Sequence, residues 1–161
     1  MRILKWVGSI VIVVLLILAA LYYLGTENQS VKASATMPTT IFVDEPFTLT
    51  LTLKNQTDSE REVVSVGLED TFLQQGIEVI RAVPEYRTVE DEGAWHSFVF
   101  ARRRRPLLAP NDENVIQLTL IVTQQGRYDT RVVLWFNNQL QGVYVPIHLE
   151  AIAHPTPWLG R

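Results

Sequence analysis

Apolar and polar residues alternate along most of the chain after residue 36. In the clearest case, residues 47–53, four apolar side chains share one face of the segment and three threonines share the other. Side chains of a β-strand point alternately to its two faces, so this period of two predicts a strand with one buried face. Six further segments are predicted as strands on similar patterns: residues 64–68, 77–83, 95–101, 115–122, 128–136 and 142–152.

Helical periodicity is nearly absent from the same region, where only residues 70–75 fit a turn of helix. Clusters of turn-forming residues, such as 55–59, separate the predicted strands. Short strands divided by turns, without an internal repeat, are typical of two packed antiparallel sheets. We therefore predict an all-β fold, an antiparallel β-sandwich of seven to eight strands, over residues 36–152.

A different pattern occupies the N-terminus, where residues 6–24 are apolar except for Gly8 and Ser9. A helix of this length rises roughly 28 Å at about 1.5 Å per residue, which matches the hydrocarbon core of a bilayer. The segment is predicted to be one transmembrane helix. Arg2 and Lys5 precede it, so residues 1–5 are expected in the cytoplasm and the remainder outside the cell membrane.

The apolar run is longer than the roughly 7 to 15 residues of a cleaved secretory signal. The sequence Ala33-Ser34-Ala35 fits a cleavage pattern but lies well beyond residue 24. We expect an uncleaved signal anchor, and a cleaved signal is the alternative. Polar residues 25–35 are predicted to be a linker, and residues 153–161 a C-terminal tail.

Composition narrows the possible functions. The chain has 14 basic and 17 acidic residues, and without Arg2 and Lys5 its exported part has 12 basic residues against 17 acidic ones. A domain with this acidic excess is not expected to bind nucleic acid. The chain also lacks cysteine, which excludes disulfides, a lipoprotein anchor, cysteine nucleophiles and thiolate metal sites.

One local pattern refines the predicted fold. Gly126, Arg127 and Tyr128 lie at the start of a predicted strand, in the arrangement of the tyrosine corner of immunoglobulin-like domains. Thr130 lies where those domains have a disulfide cysteine. Together with residues 43–55 and Leu108-Ala-Pro110, this pattern resembles cysteine-free bacterial extracytoplasmic immunoglobulin-like modules of the CARDB type. The resemblance implies an immunoglobulin-like sandwich with an adhesive or scaffolding role and no catalytic residues.

Candidate chemistry is sparse. The histidines His96, His148 and His154 form no metalloprotease or nucleophile motif, and His96 and Ser97 point to opposite faces of one strand. The acidic clusters at residues 44–45 and 90–92 lack the spacing of a calcium loop. We expect no catalytic residues, no cofactor and no metal site, calcium included.

Two other features are candidate contact sites. The first comprises four consecutive arginines at the end of a predicted strand: Arg102, Arg103, Arg104 and Arg105. They either keep a sheet edge soluble or contact an anion, such as a lipid headgroup, a wall polymer or an acidic partner.

The second candidate lies on a hairpin that Asn137-Asn138 is expected to turn. The alternation points Val133, Trp135 and Tyr144 away from the core, where they form an apolar patch. Such a patch is either a partner surface or is covered by residues 155–159 of the tail.

These observations predict a non-enzymatic, membrane-anchored extracytoplasmic binding module, which serves as an adhesive, scaffolding or accessory subunit of an envelope complex with a protein partner. The alternative is an anion-, lipid-headgroup- or carbohydrate-binding domain that uses Arg102–Arg105; an enzyme of unrecognised type comes third. Asn28 and Asn55 match the glycosylation sequon, and the sequence leaves their modification open.

Overall fold

Two sheets, antiparallel except for one short edge strand, stack around one apolar core in the computed structural model, which describes residues 11–20, 30–137 and 142–155. The strands of the described residues are β1 Val31–Thr36, β2 Thr40–Phe42, β3 Phe47–Asn55, β4 Arg61–Glu69, β5 Ile77–Val83, β6 Tyr86–Asp91, β7 Trp95–Phe100, β8 Leu107–Leu108, β9 Glu113–Val122, β10 Gly126–Phe136 and β11 Val143–Ile152. The helices are α1 (residues 11–20), α2 Asp70–Leu73 and the 3₁₀ helix η1 Arg102–Arg104.

The smaller sheet has the strand order β1-β3-β9-β5, and the larger sheet has the order β2-β11-β10-β4-β7-β6. The short β8 pairs with the first residues of β4, and β2 runs parallel to β11. The core forms because alternate residues of both sheets are apolar and point inward, as Leu49, Leu51 and Leu53 of β3 do with no exposed surface. The predicted all-β sandwich is thus confirmed.

The predicted number of strands is wrong, because seven to eight were expected and eleven occur in the described residues. All seven predicted segments are strands, and the predicted helical turn is α2. Strands β2, β6 and β8 were missed because none carries a clear apolar alternation. Strand β1 does alternate, but two of its three inward residues are alanines, which make the pattern weak. Strand β6 lies at a sheet edge with nearly every side chain exposed, and β8 has two residues.

The start of the sandwich also differs from the prediction. Residues 31–35 were expected to belong to a linker, but they pair with β3 from Val31↔Asn55 to Ala35↔Leu51. Val31 is buried, and the small side chains of Ala33 and Ala35 pack against the core. Backbone hydrogen bonds to β3 hold this strand in place.

The N-terminal apolar segment is described only in part. Residues 11–20 are helical with exposed apolar side chains, whereas residues 6–10 and 21–24 lie outside the described residues. Among the residues described, none of the helices is both long and apolar enough to cross a membrane. The transmembrane helix stays a prediction.

The tyrosine corner is present. The hydroxyl group of Tyr128 donates a hydrogen bond to the carbonyl oxygen of Gln124 at 2.6 Å, and its ring packs edge-on against Phe72. Burial raises the pKa of the Tyr128 hydroxyl, because the charged phenolate would lose its hydration. This bond ties the loop before β10 to the strand itself.

One end of the sandwich contains both the start of β1 and the arginine-rich helix η1. Val31 pairs with Asn55 at the end of β3, and the side-chain nitrogen of Asn55 donates to the carbonyl oxygen of Leu108 at 3.1 Å. Strand β7 runs antiparallel to β4 and ends at Phe100 on the same side. We call this the β1 end of the sandwich.

Candidate binding surfaces on the larger sheet

The outer face of the larger sheet contains an unusual side chain at its centre. Val133 of β10 lies between Tyr144 of β11 and Gly67 of β4 in the strand register. It points outward, as the sequence predicts, yet it has no exposed surface. Val133 therefore fills space within this face and offers no contact area to a partner.

Two glycines make room for Val133. A Cβ atom on Gly67 would lie 2.5 Å from one γ-methyl carbon of Val133, and a Cβ atom on Gly142 would lie 2.5 Å from the other. Both distances are far below van der Waals contact, so only glycine fits at either position without a shift of the valine.

Three half-buried aromatic rings surround the valine. Trp135 and Tyr144 occupy the predicted positions, and Trp95 of β7 joins them with its ring centre 5.9 Å from that of Tyr144. The indole of Trp95 covers Gly67, since its Cε3 atom lies 3.6 Å from the position of the missing Cβ. Trp95 could not be placed beside Gly67 from the sequence, because the pairing of β4 with β7 joins segments that are far apart in the chain.

A guanidinium group completes this cluster. The Cζ atom of Arg131 lies 5.9 Å from the ring centre of Trp95 and 5.6 Å from that of Tyr144. Its Nε and Nη2 atoms donate to Oε1 of Glu69 at 3.1 and 3.0 Å, and Thr130 donates to Oε2 of the same carboxylate. Glu69 therefore holds Arg131 over the rings. We call Trp95, Arg131, Trp135 and Tyr144 the aromatic surface.

A cavity of about 320 Å³ opens beside the aromatic surface. It is lined by Trp95 and Arg131 together with Glu69, Asp70, Thr71 and Ala94. Oδ1 of Asp70 is hydrogen-bonded to Nε2 of His96 at 2.7 Å. Two carboxylates and one guanidinium line this cavity, and the excess of negative charge favours a basic side chain over an acidic one.

The four consecutive arginines do not form one patch. Arg104 pairs with Glu85 in solvent, whereas Arg105 is half-buried with Nη1 3.4 Å from Oε2 of Glu62. Arg103 is exposed and makes no ion pair within the described residues. Arg103 and Arg104 therefore have surroundings of their own, whereas Arg102 and Arg105 line one cleft, and the anion contact stays a prediction.

The three histidines are also apart from one another. His96 faces Asp70, His148 lies 2.5 Å from Asp129, and His154 stacks on Phe42 with ring centres 4.9 Å apart. Within residues 11–20, 30–137 and 142–155, no three acidic or histidine side chains are close enough to hold a metal ion. Neither result points to a catalytic site.

Comparison with known proteins gives the fold. No family model and no curated protein matches the sequence. Among solved structures, the cupredoxin domain of amoB from Nitrosocaldus yellowstonii is 10% identical over 83% of this chain and 97% of that one, with a TM-score of 0.53. A cohesin module of a Clostridium perfringens family 33 glycoside hydrolase is 9% identical over 79% of this chain and 100% of that one, with a TM-score of 0.51.

A CARDB domain from Pyrococcus furiosus is also among the structural neighbours, at 12% identity over 80% of this chain and 100% of that one, with a TM-score of 0.46. The two likenesses with TM-scores above 0.5 agree with an all-β sandwich and show no particular family. A blue-copper site needs a cysteine thiolate, and this chain has no cysteine, so the likeness to a cupredoxin domain does not extend to that ligand set.

Proposed function

We propose that this chain is a membrane-anchored extracytoplasmic binding module without enzymatic activity, and that it holds a protein partner on the aromatic surface. The observation that carries the proposal is the presence of three half-buried rings and a fixed guanidinium on an outer sheet face. In a sandwich that used this face only for solubility, polar side chains would occupy these positions.

The residue types support this role. Tryptophan, tyrosine and arginine are the side chains that most often dominate the energy of protein interfaces. Arg131 is already held by Glu69, so binding would cost little of the side-chain freedom that an unrestrained arginine loses. The aromatic surface is therefore preorganised for a contact.

The surrounding charges specify the chemistry of the partner. Glu90 lies across from Ser97 in the register, and the carboxylate of Glu92 accepts a hydrogen bond from the Ser97 hydroxyl at 2.8 Å. With Asp70, these side chains make an acidic rim on the β6 side of the aromatic surface. The partner we propose has an apolar centre with lysine or arginine at its edge, one of which would enter the 320 Å³ cavity.

The C-terminal tail is the alternative occupant, and its described part lies far from Tyr144. Tyr144 and Ile152 are about 26 Å apart along β11 at about 3.3 Å per residue. His154 stacks on Phe42 beyond the far end of that strand, and the segment from His154 to Trp158 spans at most about 14 Å. Residues 156–161 lie outside the described residues.

Site-specific crosslinking in the organism that encodes the full chain tests the partner surface. A photoreactive phenylalanine replaces Tyr144 in one variant and the exposed Ile80 of β5, which is 53% exposed on the other sheet, in the control. We expect one crosslinked protein from position 144 and not from position 80. Reversal of rim charge by Asp70→Lys should lower its yield, as should Trp135→Ala in a domain that stays folded.

Several results would contradict the proposal. Equal crosslinking at positions 80 and 144 would show that the partner does not bind selectively to the aromatic surface. A yield of crosslinked partner unchanged by Trp135→Ala and Asp70→Lys would also contradict binding at this surface. If Trp135→Ala unfolds the domain, Trp95→Ala is the second variant, because its ring lies over Gly67 rather than against the core.

The membrane anchor is supported by the apolar residues 6–24, by the basic residues that precede them, and by exposed apolar side chains along α1. The absence of cysteine allows a direct topology test with the single substitutions Ile3→Cys and Val115→Cys, which leave Arg2 and Lys5 in place. In intact cells a membrane-impermeant maleimide should label position 115 and leave position 3 unlabelled until the cells are permeabilised. The reverse labelling would contradict the proposed orientation, and release of the chain by alkaline carbonate would indicate a cleaved signal.

A further inference from the structure

A second concave region lies near the β1 end of the sandwich, where β6, the end of β7 and η1 meet. It is a cleft of about 650 Å³, twice the volume of the cavity beside the aromatic surface. Three arginines line it: Arg87, Arg102 and Arg105, together with Thr88, Glu90, Val99 and Phe100. We call this the basic cleft.

A β-bulge brings Arg87 into the cleft. Tyr86 pairs with Phe100, and Thr88 pairs with Val99, so Arg87 is an extra residue on β6. Tyr86 packs inward with its ring 5.1 Å from that of Phe98. A regular strand would place Arg87 and Thr88 on opposite faces, whereas the bulge lets both line the same cleft.

The arginines of the basic cleft are only partly neutralised. Arg105 is held by Glu62 at 3.4 Å, and its buried Nε has no acceptor among the described residues. Neither Arg87 nor Arg102 makes an ion pair within the described part of the chain. Glu90 is the acidic residue of the lining, so the cleft is cationic on a domain that is acidic overall.

We propose that the basic cleft binds a phosphate group. Guanidinium groups donate paired hydrogen bonds that match the oxygens of phosphate, and several converging arginines suit a group with more than one free oxygen. The basic cleft uses none of the four residues of the aromatic surface, although Glu90 belongs both to the cleft lining and to the acidic rim of that surface.

The position of the cleft suggests two sources for the phosphate. Helix η1 lies at the β1 end, where the chain enters the sandwich from the proposed anchor, so the phosphate of an anionic lipid headgroup is within reach of an anchored domain. A soluble phosphate or phosphate ester is the other source. Both require the same arginines.

Arginine labelling of the full chain separates these sources. Phenylglyoxal modifies accessible guanidinium groups, and peptide mass spectrometry measures the labelling rate of each one. The chain is compared in uncharged detergent micelles with and without inorganic phosphate, and in phosphatidylcholine nanodiscs with and without phosphatidylglycerol. We expect labelling of Arg87 and Arg102 to slow by about tenfold at saturation, while Arg81 and Arg103, both exposed and outside the cleft, label at an unchanged rate.

Protection by inorganic phosphate in micelles would identify a site that accepts free phosphate. Protection only in phosphatidylglycerol nanodiscs would identify a lipid headgroup site. No protection in any arm, or equal protection of Arg81 and Arg103, would overturn the proposal.

A charge-matched pair of variants provides an independent check. The double variant Arg87→Ser with Arg102→Ser should weaken phosphate binding by about tenfold or more in equilibrium dialysis or in nanodisc protection of Arg105. The double variant Arg81→Ser with Arg103→Ser removes the same charge and should bind as the unaltered chain does. Equal loss in both variants would show that overall charge, and not the cleft, attracts the anion.

Discussion

A Cβ atom on Gly67 would lie 2.5 Å from a γ-methyl carbon of Val133. The side chain of Val133 therefore occupies the space that the Cβ atom of any residue larger than glycine would need. The two residues face each other across β4 and β10 on the outer face of the larger sheet. This pairing explains how an outward-pointing valine is buried and how the ring of Trp95 comes within 3.6 Å of the missing Cβ position of Gly67.

Gly67→Ala is therefore expected to destabilise the domain by about 1 to 3 kcal/mol, because Val133 must move out of its place. The free energy of unfolding in urea measures the change. Gly126→Ala is the control, since a Cβ there would meet its nearest atom at 3.7 Å and should change stability little. In a Val133→Ala background the cost of Gly67→Ala should fall, and strictly additive effects would show that the two residues are not coupled.

Asn55 is expected to be indispensable for folding. Its side chain is fully buried, and Nδ2 donates to the carbonyl oxygens of Ser59, Leu108 and Ala109 at 2.8, 3.1 and 3.0 Å. Asn55→Asp places a carboxylate against three carbonyl oxygens and should cost about 3 kcal/mol. Asn114→Asp, which loses one exposed hydrogen bond to Leu107, should cost far less in the same unfolding assay.

The same geometry bears on the sequon at Asn55, because Nδ2 is the atom that a glycan would occupy. In the folded domain this atom is buried and fully hydrogen-bonded, so we expect no glycan at Asn55 in folded protein. Mass spectrometry of the intact domain checks this expectation. Asn28, the other sequon residue, lies outside the described residues.

Tyr128 makes the stability of the folded domain fall at alkaline pH. Its pKa is raised in the folded state, so below the unfolded pKa of about 10 both states keep the proton and the contribution to stability is complete. As pH rises through the folded pKa, the unfolded state binds fewer protons and stability falls. Tyr128→Phe should cost about 1 kcal/mol at pH 7 and should show a smaller loss between pH 9 and pH 11; an identical loss would contradict this role.

Substitutions in the short β8 test how much a strand of two residues contributes to the free energy of unfolding. Leu108 has no exposed surface, whereas its neighbour Leu107 is 48% exposed. Leu108→Ala should destabilise the domain by about 3 kcal/mol, because it leaves a cavity beneath β3 and β4. Leu107→Ala should change the free energy of unfolding by less than about 0.5 kcal/mol, and equal effects would contradict the assigned burial.

Much of the fold could be predicted because alternation along one strand is a local property. Residues 47–53 and 128–136 show which side chains face the core, and their burial follows that pattern apart from Val133. Edge strands such as β6 could not be predicted, since backbone pairing with β7 holds them without burying their side chains. The candidate sites were predicted in part: Trp135, Tyr144, Arg102 and Arg105 were named, and Trp95, Arg131 and Arg87 were not.

The sequence by itself determined the sandwich, its inward faces and the chemistry excluded by the lack of cysteine, because each depends on residue type or on spacing within one segment. The tertiary structure alone decided which distant residues meet. Trp95 lies 36 positions before Arg131 in the chain, and Arg87 meets Arg102 only through the register and bulge of an edge strand. Such contacts depend on how strands pair across the sheet, and no single segment encodes that pairing.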